Sequence, residues 1–197
     1  MKKNNTIFIK HRINSIIDLK KIPQKYGVEV DVRTYNNEII LHHDAFQNGD
    51  SFDEFLENFN HEFLIINIKC DGLEESIIKK LEDKSIKNFF FLDSSIPSIV
   101  KMIKNNCKNI AVRYSKYEPI ELLMEFKNKV NWIWIDCFEG FDLKSEDYKI
   151  MREYFKICLV SPELQGYSHE KIEEFSKLSE NMHFDAICTK FPELWEK

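Results

Sequence analysis

The sequence predicts an α/β fold, in its simplest form a compact, closed (β/α)8 (TIM) barrel. Eight short apolar runs, each of strand length and rich in β-branched or aromatic residues, recur along the 197 residues. Segments with helical hydrophobic spacing lie between the runs, and the sequence shows no linker, repeat or low-complexity stretch. Unbroken strand–helix units are typical of a parallel sheet. Because no linker interrupts these units, we predict a single domain over residues 1–197.

An open, doubly wound sheet is the alternative arrangement of the same units. A GxGxxG phosphate loop would favour the open sheet, and the sequence contains none. The chain is slightly shorter than most barrels of this kind, which begin at roughly 200 residues. We therefore expect a barrel with short connections between its elements.

The predicted strands follow one another in regular order. They cover residues 6–10, 28–33, 64–69, 89–93, 110–114, 132–136, 157–161 and 186–190. A further extended segment, residues 38–43, comes after Asn36-Asn37, a pair that suits a tight hairpin turn. We interpret this segment as an arm on the second strand.

Helical patterns fill the intervals between the strands. Ser51, with Glu54 three residues later, begins one helix with the pattern of a capping box. Pro97 stands at the start of another, where proline is favoured. Similar patterns predict helices over residues 73–84, 118–128, 145–155 and 168–178.

Composition and charge exclude several classes of protein. The net charge of −5 argues against an electrostatic nucleic-acid binder. No apolar run approaches the roughly 18 residues of a membrane span, and the N-terminal residues lack the apolar stretch of a secretory signal. We therefore expect a cytoplasmic protein. The five cysteines include no CxxC pair, so we interpret them as small buried hydrophobes.

Polar residues cluster at the C-terminal ends of the predicted strands, which is the face that carries barrel active sites. Asp93, Arg113, Asp136 and Glu163 lie at such ends. They are candidates to contact a bound ligand, and mutual ion pairing is the alternative. The polar residues of the second and third strands stand inside apolar runs, and this placement predicts a site for a charged ligand.

Two carboxylates share one face of the second strand. Glu29 and Asp31 are two residues apart, so their side chains point the same way and repel each other unless a cation lies between them. Oxygen ligands of this kind suit Mg²⁺ or Ca²⁺. Asn67 and Lys69 repeat the spacing on the third strand, where an amide oxygen and an ammonium would complete a site for metal and phosphate. Ion pairing of the carboxylates with Lys69 or Arg113 is the alternative.

Two histidines are candidates for acid/base chemistry, since histidine titrates near neutral pH. His11 follows the first strand and His43 ends the arm. Basic side chains that suit phosphate oxygens lie on the same strand ends: Arg12, Lys69 and Arg113.

These residues together resemble the glycerophosphodiester phosphodiesterase family, within the phosphatidylinositol phosphodiesterase-like TIM barrels. That family shows His-Arg after strand one, Glu-x-Asp on strand two, His-Asp at the end of the following arm and Glu-x-Lys on strand three. In the same order the chain has His11-Arg12, Glu29-Val30-Asp31, His43-Asp44 and Asn67-Ile68-Lys69. Residues 186–192 are similar to the family's closing strand and its Thr-x-x-Pro turn.

The resemblance implies a role for each matching residue. His11 and His43 would be the catalytic histidines, one of which would attack or deprotonate while the other would protonate the leaving alkoxide. A divalent cation, Mg²⁺ or Ca²⁺, would be held by Glu29 and Asp31, and Arg12 and Lys69 would bind phosphate. Arg113 and Glu163 complete the predicted substrate contacts from their positions at strand ends.

Two departures from the family pattern bear on this interpretation. Asn67 stands where the family has a third metal carboxylate, and an amide oxygen is a weaker but usable ligand. Only residues 45–66 separate the arm from the third strand, so we predict that the family's usual insertion there is missing.

The sequence thus predicts a metal-dependent phosphodiesterase that acts on a small glycerophosphodiester-like or carbohydrate-linked substrate. Two alternatives remain at this point: a non-catalytic barrel that binds phosphate or glycan, and a lyase-type transfer that gives a cyclic phosphate.

Overall fold

The computed structural model describes residues 6–196, which fall into two compact units. We call Lys10–Ile110 the N-terminal unit, and the described residues up to Ile9 together with those from Ala111 onward the C-terminal unit. The prediction of a single domain over residues 1–197 stays a prediction.

The strands alternate with helices along the described chain. In chain order the strands are β1 (Ile7–Lys10), β2 (Gly27–Tyr35), β3 (Glu38–Leu41), β4 (Asp50–Ser51), β5 (Leu64–Ile68), β6 (Phe89–Leu92), β7 (Ala111–Tyr114), β8 (Trp132–Ile135), β9 (Lys156–Val160) and β10 (Ala186–Thr189). The α-helices are α1 (Ile16–Leu19), α2 (Phe52–Asn58), α3 (Glu74–Asp83), α4 (Ile96–Lys104), α5 (Ile120–Met124), α6 (Ser145–Tyr154), α7 (Lys171–Leu178) and α8 (Pro192–Trp195). A short 3-10 helix covers Pro162–Gln165.

In the N-terminal unit the sheet is built around β2. Strand β5 pairs with β2 in parallel, with Asp31 opposite Asn67, and β6 pairs in parallel with β5. On its other edge β2 pairs with β3 in antiparallel orientation, so the predicted arm is confirmed. Asn36 and Asn37 make the turn with positive φ angles of 47° and 66°, the backbone that a two-residue hairpin requires.

The arm has one element that the sequence pattern did not predict. Two residues, Asp50 and Ser51, form β4 and pair antiparallel with β3, with Leu41 opposite Asp50. Two residues are too few to show alternation, so β4 depends on the fold around it. Ser51 then begins α2 as its N-cap, as predicted, and its hydroxyl accepts a hydrogen bond from the Glu54 N–H at 3.5 Å.

In the C-terminal unit β7, β8, β9 and β10 pair in parallel in sequence order, and β1 lies next to β10. All four residues of β8 are buried, as are all four of β10. Burial of successive residues means that both faces of the sheet are covered, which is the usual state of parallel strands. Over the described residues, no helix has the length and apolar character needed to cross a membrane.

Gly49 is required by the close approach of the chain to the arm. A Cβ atom at this position would lie 2.1 Å from the Leu41 carbonyl oxygen, far inside contact distance.

We expect Gly49→Ala to lower the free energy of unfolding by about 2–3 kcal/mol, because the β3–β4 pairing must shift. Gly72→Ala is the control: Gly72 has φ +91° but no atom within 4 Å of its added Cβ, so it should lose only about 1 kcal/mol. Equal losses in urea unfolding of the two variants would contradict this expectation.

Candidate active site

The loop after β1 folds back onto the side chains of β2. The Arg12 N–H donates to Glu29 Oε2 at 2.8 Å, and the Ile13 N–H donates to the Glu29 carbonyl at 2.8 Å. Arg12 has a φ of 56°, and this left-handed conformation turns the chain sharply after His11. As a result His11 Nε2 lies 3.8 Å from Glu29 Oε2.

Glu29 and Asp31 point the same way from β2, as predicted, and each is 1% exposed. Burial raises the pKa of Glu29 to about 7, and the charge of Asp31 adds to the effect. Hydrogen bonds from Asn67 and from the Arg12 N–H oppose this rise in pKa. This carboxyl with a raised pKa lies within 4 Å of the His11 imidazole.

Asp31 is surrounded by donors on both of its oxygens. Lys69 Nζ lies 3.3 Å from Oδ1, and Arg12 Nε lies 3.5 Å from Oδ2. The Asn14 amide donates to Oδ2 at 2.8 Å, while the Asn14 Oδ1 accepts the Asp31 N–H at 2.8 Å. Asn14 thereby ties the loop after β1 to β2. Asn14 left no signal in the sequence, because a lone asparagine in a loop belongs to no spacing pattern.

Lys69 lies between two carboxylates. Its Nζ is 3.3 Å from Asp31 and 3.5 Å from Asp93, which has a φ of 61° at the end of β6. The Lys69 side chain is 18% exposed, whereas that of Arg12 is 47% exposed. Two cationic groups therefore lie against the carboxylate pair while part of each remains open to a ligand.

Asn67 connects β5 to the carboxylate pair. It lies opposite Asp31 in the β2–β5 register, and its amide nitrogen donates to Glu29 Oε1 at 3.0 Å. Its Oδ1 is buried and has no hydrogen-bond partner among residues 6–196. Across the same residues no group of three His, Cys, Asp or Glu side chains is placed to hold a metal, and the buried amide oxygen of Asn67 is a further oxygen donor beside the carboxylate pair. The oxygens of Glu29, Asp31 and Asn67 fit a hard divalent cation in type.

His43 has a different environment from His11. Its Nδ1 is 2.7 Å from Asp44 Oδ1, and the side chain is 42% exposed. This hydrogen bond lowers the pKa of Asp44 below its ordinary value. The two predicted catalytic histidines thus each have their own carboxylate: His11 lies near a buried one and His43 beside an exposed one.

The remaining predicted substrate residues belong to the C-terminal unit. Arg113 forms an ion pair with buried Asp136, whose pKa is raised by burial and held down in part by Arg113. The buried Glu163 accepts hydrogen bonds from the hydroxyls of Thr189, at 2.7 Å, and Ser161. These contacts are internal ties between strand ends. The assignment of Arg113 and Glu163 to substrate binding stays a prediction.

The fold of the chain matches those of solved glycerophosphodiester phosphodiesterases. One match is a glycerophosphoryl diester phosphodiesterase from Parabacteroides distasonis ATCC 8503, with a TM-score of 0.68 and 14% identity over 100% of this chain and 87% of that chain. Another is a glycerophosphodiester phosphodiesterase from Agrobacterium tumefaciens str. C58, with a TM-score of 0.72 and 13% identity over 98% of this chain and 100% of that chain. No protein-family model and no curated protein sequence matches the chain.

These matches confirm the predicted resemblance at the level of the fold. The α/β class with mostly parallel strands is also confirmed and is consistent with the TIM barrel of those structures. The predicted loss of an insertion after the second strand is not confirmed, since the A. tumefaciens match extends over 100% of that chain.

The raised pKa of Glu29 predicts a specific dependence of stability on pH. The pKa of the Glu29 carboxyl is higher in the folded protein than its ordinary value of 4.5. Its contribution to stability is therefore fully present below pH 4.5 and is lost as the pH rises through about 7. Glu29→Gln cannot ionise and escapes the loss. Between pH 5 and pH 8, without divalent metal, wild type should lose on the order of 2–3 kcal/mol relative to the variant.

Urea unfolding at four pH values measures this difference. Glu54→Gln, at an exposed glutamate of α2, controls for the general loss of one carboxylate. Parallel pH profiles for wild type and Glu29→Gln would show that Glu29 is ionised throughout this range.

Proposed function

We propose that the chain is a metal-dependent phosphodiesterase that hydrolyses a small glycerophosphodiester-like or carbohydrate-linked phosphodiester. The observation that carries the proposal is the pairing of each imidazole with its own carboxylate, on elements that also place Arg12 and Lys69 against Asp31. The likeness in fold to phosphodiesterase structures supports the same reaction class.

In this proposal the phosphate is bound by two cationic side chains, Arg12 and Lys69. Arg12 and Lys69 have neighbouring carboxylates that hold them in place, and a phosphodiester anion is attracted to both. The guanidinium of Arg12, almost half exposed, offers paired N–H donors to two phosphate oxygens. Lys69 adds a compact positive charge from the end of β5.

A divalent cation would be held by the oxygens of Glu29, Asp31 and Asn67. When bound, it neutralises charge on the phosphoryl group and withdraws electrons from phosphorus. Because Asn67 supplies an uncharged oxygen, the donor set carries only two negative charges. We therefore expect the ion to be bound more weakly, and to exchange more readily, than at a site of three carboxylates.

The two histidines then move the protons. Asp44 binds Nδ1 of the His43 ring, so Nε2 is the nitrogen suited to accept a proton from the attacking water or hydroxyl. His11 is partly buried and lies 3.8 Å from the buried Glu29, and it is suited to protonate the leaving alkoxide. The carboxylates hold the two rings in place for the transfer of protons.

A non-catalytic phosphate-binding role is the second candidate, and one observation favours it. The Asn67 amide nitrogen donates to Glu29 where a third acidic ligand would strengthen metal binding. Binding of a glycerophosphodiester without metal and without product, followed by calorimetry and phosphorus NMR, supports this role. The same NMR spectra separate hydrolysis from a transfer that gives a cyclic phosphate.

His11→Ala and His43→Ala test the reaction directly. Each should lower release of phosphomonoester from glycerophosphodiesters, in Mg²⁺ or Ca²⁺, by about 100-fold or more, because a proton transfer is lost. His61→Ala is the matched control, since the His61 ring packs on Phe59 and its Nε2 contacts the Ile22 carbonyl. Turnover by His11→Ala equal to that of wild type contradicts the proposal.

Asn67→Asp tests the cation site without relying on activity. A third carboxylate beside Glu29 should lower the thermal stability of the metal-free protein and tighten Mg²⁺ or Ca²⁺ binding by about tenfold. Calorimetric titration and melting with and without metal measure both effects. Asn88→Asp, at an exposed asparagine, is the control. Equal metal-induced shifts in the melting temperature of all three proteins would argue against a cation at Asn67.

A further inference from the structure

Arg33 shares the face of β2 that carries the carboxylate pair. It lies two residues after Asp31 and four after Glu29, so the three side chains leave the strand on the same side. Glu29 and Asp31 are buried, while Arg33 is only half-buried. The strand thus continues from a buried acidic pair to a more open basic residue at the arm.

The guanidinium of Arg33 binds two successive backbone carbonyls at the end of the arm. Its Nε donates to the His42 carbonyl at 3.0 Å, and its Nη2 donates to the His43 carbonyl at 2.8 Å. Both distances are ordinary for hydrogen bonds, and the charge of the donor strengthens them. The planar fork of arginine suits two acceptors held at a fixed spacing.

The carbonyls that Arg33 binds belong to residues just beyond the end of the regular strand of the arm. Strand β3 ends at Leu41, and the His42 N–H still donates to the Asp31 carbonyl at 3.0 Å. Beyond that point the chain turns, and the Asp44 N–H donates to His42 Nδ1 at 3.0 Å. Asp44 in turn holds the ring of His43. The ring of His43 is therefore fixed through a turn whose carbonyls are tied to β2 by Arg33.

We propose that Arg33 is a positioning residue that fixes the backbone of His42 and His43, and so holds the imidazole of His43 in register with Glu29 and Asp31 on the same strand. The proposal rests on the proposed function for its catalytic consequence. Its structural consequence, an ordered turn after β3, stands independently. Placement errors of about 1 Å in a reacting group cost roughly 100-fold in rate, so such a tie matters for turnover.

Arg33→Met and Arg33→Lys test the proposal together. Arg33→Met removes the donors but keeps most of the aliphatic side chain, and kcat should fall by about 10–100-fold while KM changes less than about threefold. Arg33→Lys keeps the charge without the planar fork, so its kcat should lie between those of Arg33→Met and wild type. Arg152→Met is the matched control, because Arg152 is also a partly buried arginine, paired with Asp185, but lies on α6.

Two readouts do not depend on activity. Hydrogen exchange of the backbone amides of residues 42–46 should speed up by about tenfold or more in Arg33→Met and remain at the wild-type rate in Arg152→Met. In NMR spectra the Nδ1 signal of His43 should lose the signature of its hydrogen bond to Asp44.

The outcomes separate this proposal from the proposed function. If wild type hydrolyses no phosphodiester, the proposed function fails, and amide exchange still decides whether Arg33 orders the turn. If wild type is active and Arg33→Met matches it in kcat and exchange, the positioning role is wrong. Full recovery in Arg33→Lys would overturn the role of the planar fork, since charge alone would suffice. A fall in activity with unchanged exchange, or a KM effect larger than the kcat effect, would overturn positioning in favour of direct substrate contact.

Discussion

The burial of two carboxylates side by side on β2 is the interaction on which the rest of the site depends. Glu29 and Asp31 are almost completely buried. Two carboxylates that water cannot reach require hydrogen-bond donors and cations from the protein. Arg12 and Asn14 of the loop after β1, and Asn67 of β5, supply those donors. Elements that are distant along the chain are thus drawn to one strand, because each satisfies part of the same buried charge.

The same constraint gives the candidate site its chemistry. The cations that offset the carboxylates, Arg12 and Lys69, are the groups suited to bind a phosphodiester, and the turn that presents the Arg12 N–H also places His11 near Glu29. His43 belongs to a different element, the end of the arm, and has Asp44 as its partner. The two imidazoles therefore differ in exposure and in the pKa of the neighbouring carboxyl, which is raised for Glu29 and lowered for Asp44. In the proposed reaction this difference suits opposite roles in proton transfer.

The strand–helix order and the candidate site residues could be named from the sequence because each leaves a local signal. Alternating carboxylates on a strand, an Asn-Asn turn and a Ser-x-x-Glu cap are patterns within a few residues of one another. Asn14 and Arg33 left no such signal. An asparagine in a loop and an arginine in a strand are ordinary residues, and their partners, Asp31 and two carbonyls of the arm, lie 9–17 residues away along the chain. Strand β4 was missed for a related reason, since its pairing and not its composition defines it.

The sequence by itself determined the α/β class, the bounds of nearly every strand to within about two residues, and the set of polar side chains that could meet at the strand ends. These follow from side-chain periodicity and from turn chemistry, both of which act over short distances. Only the tertiary structure decided which partner each polar group takes. In the tertiary structure the Asn67 amide nitrogen donates to Glu29. Asp31 is contacted by Arg12, Lys69 and Asn14. The arm is bound to β2 through Arg33. The physical reason is that hydrogen bonding inside a protein is a competition among all donors within reach, and that reach is set by the pairing and register of the strands.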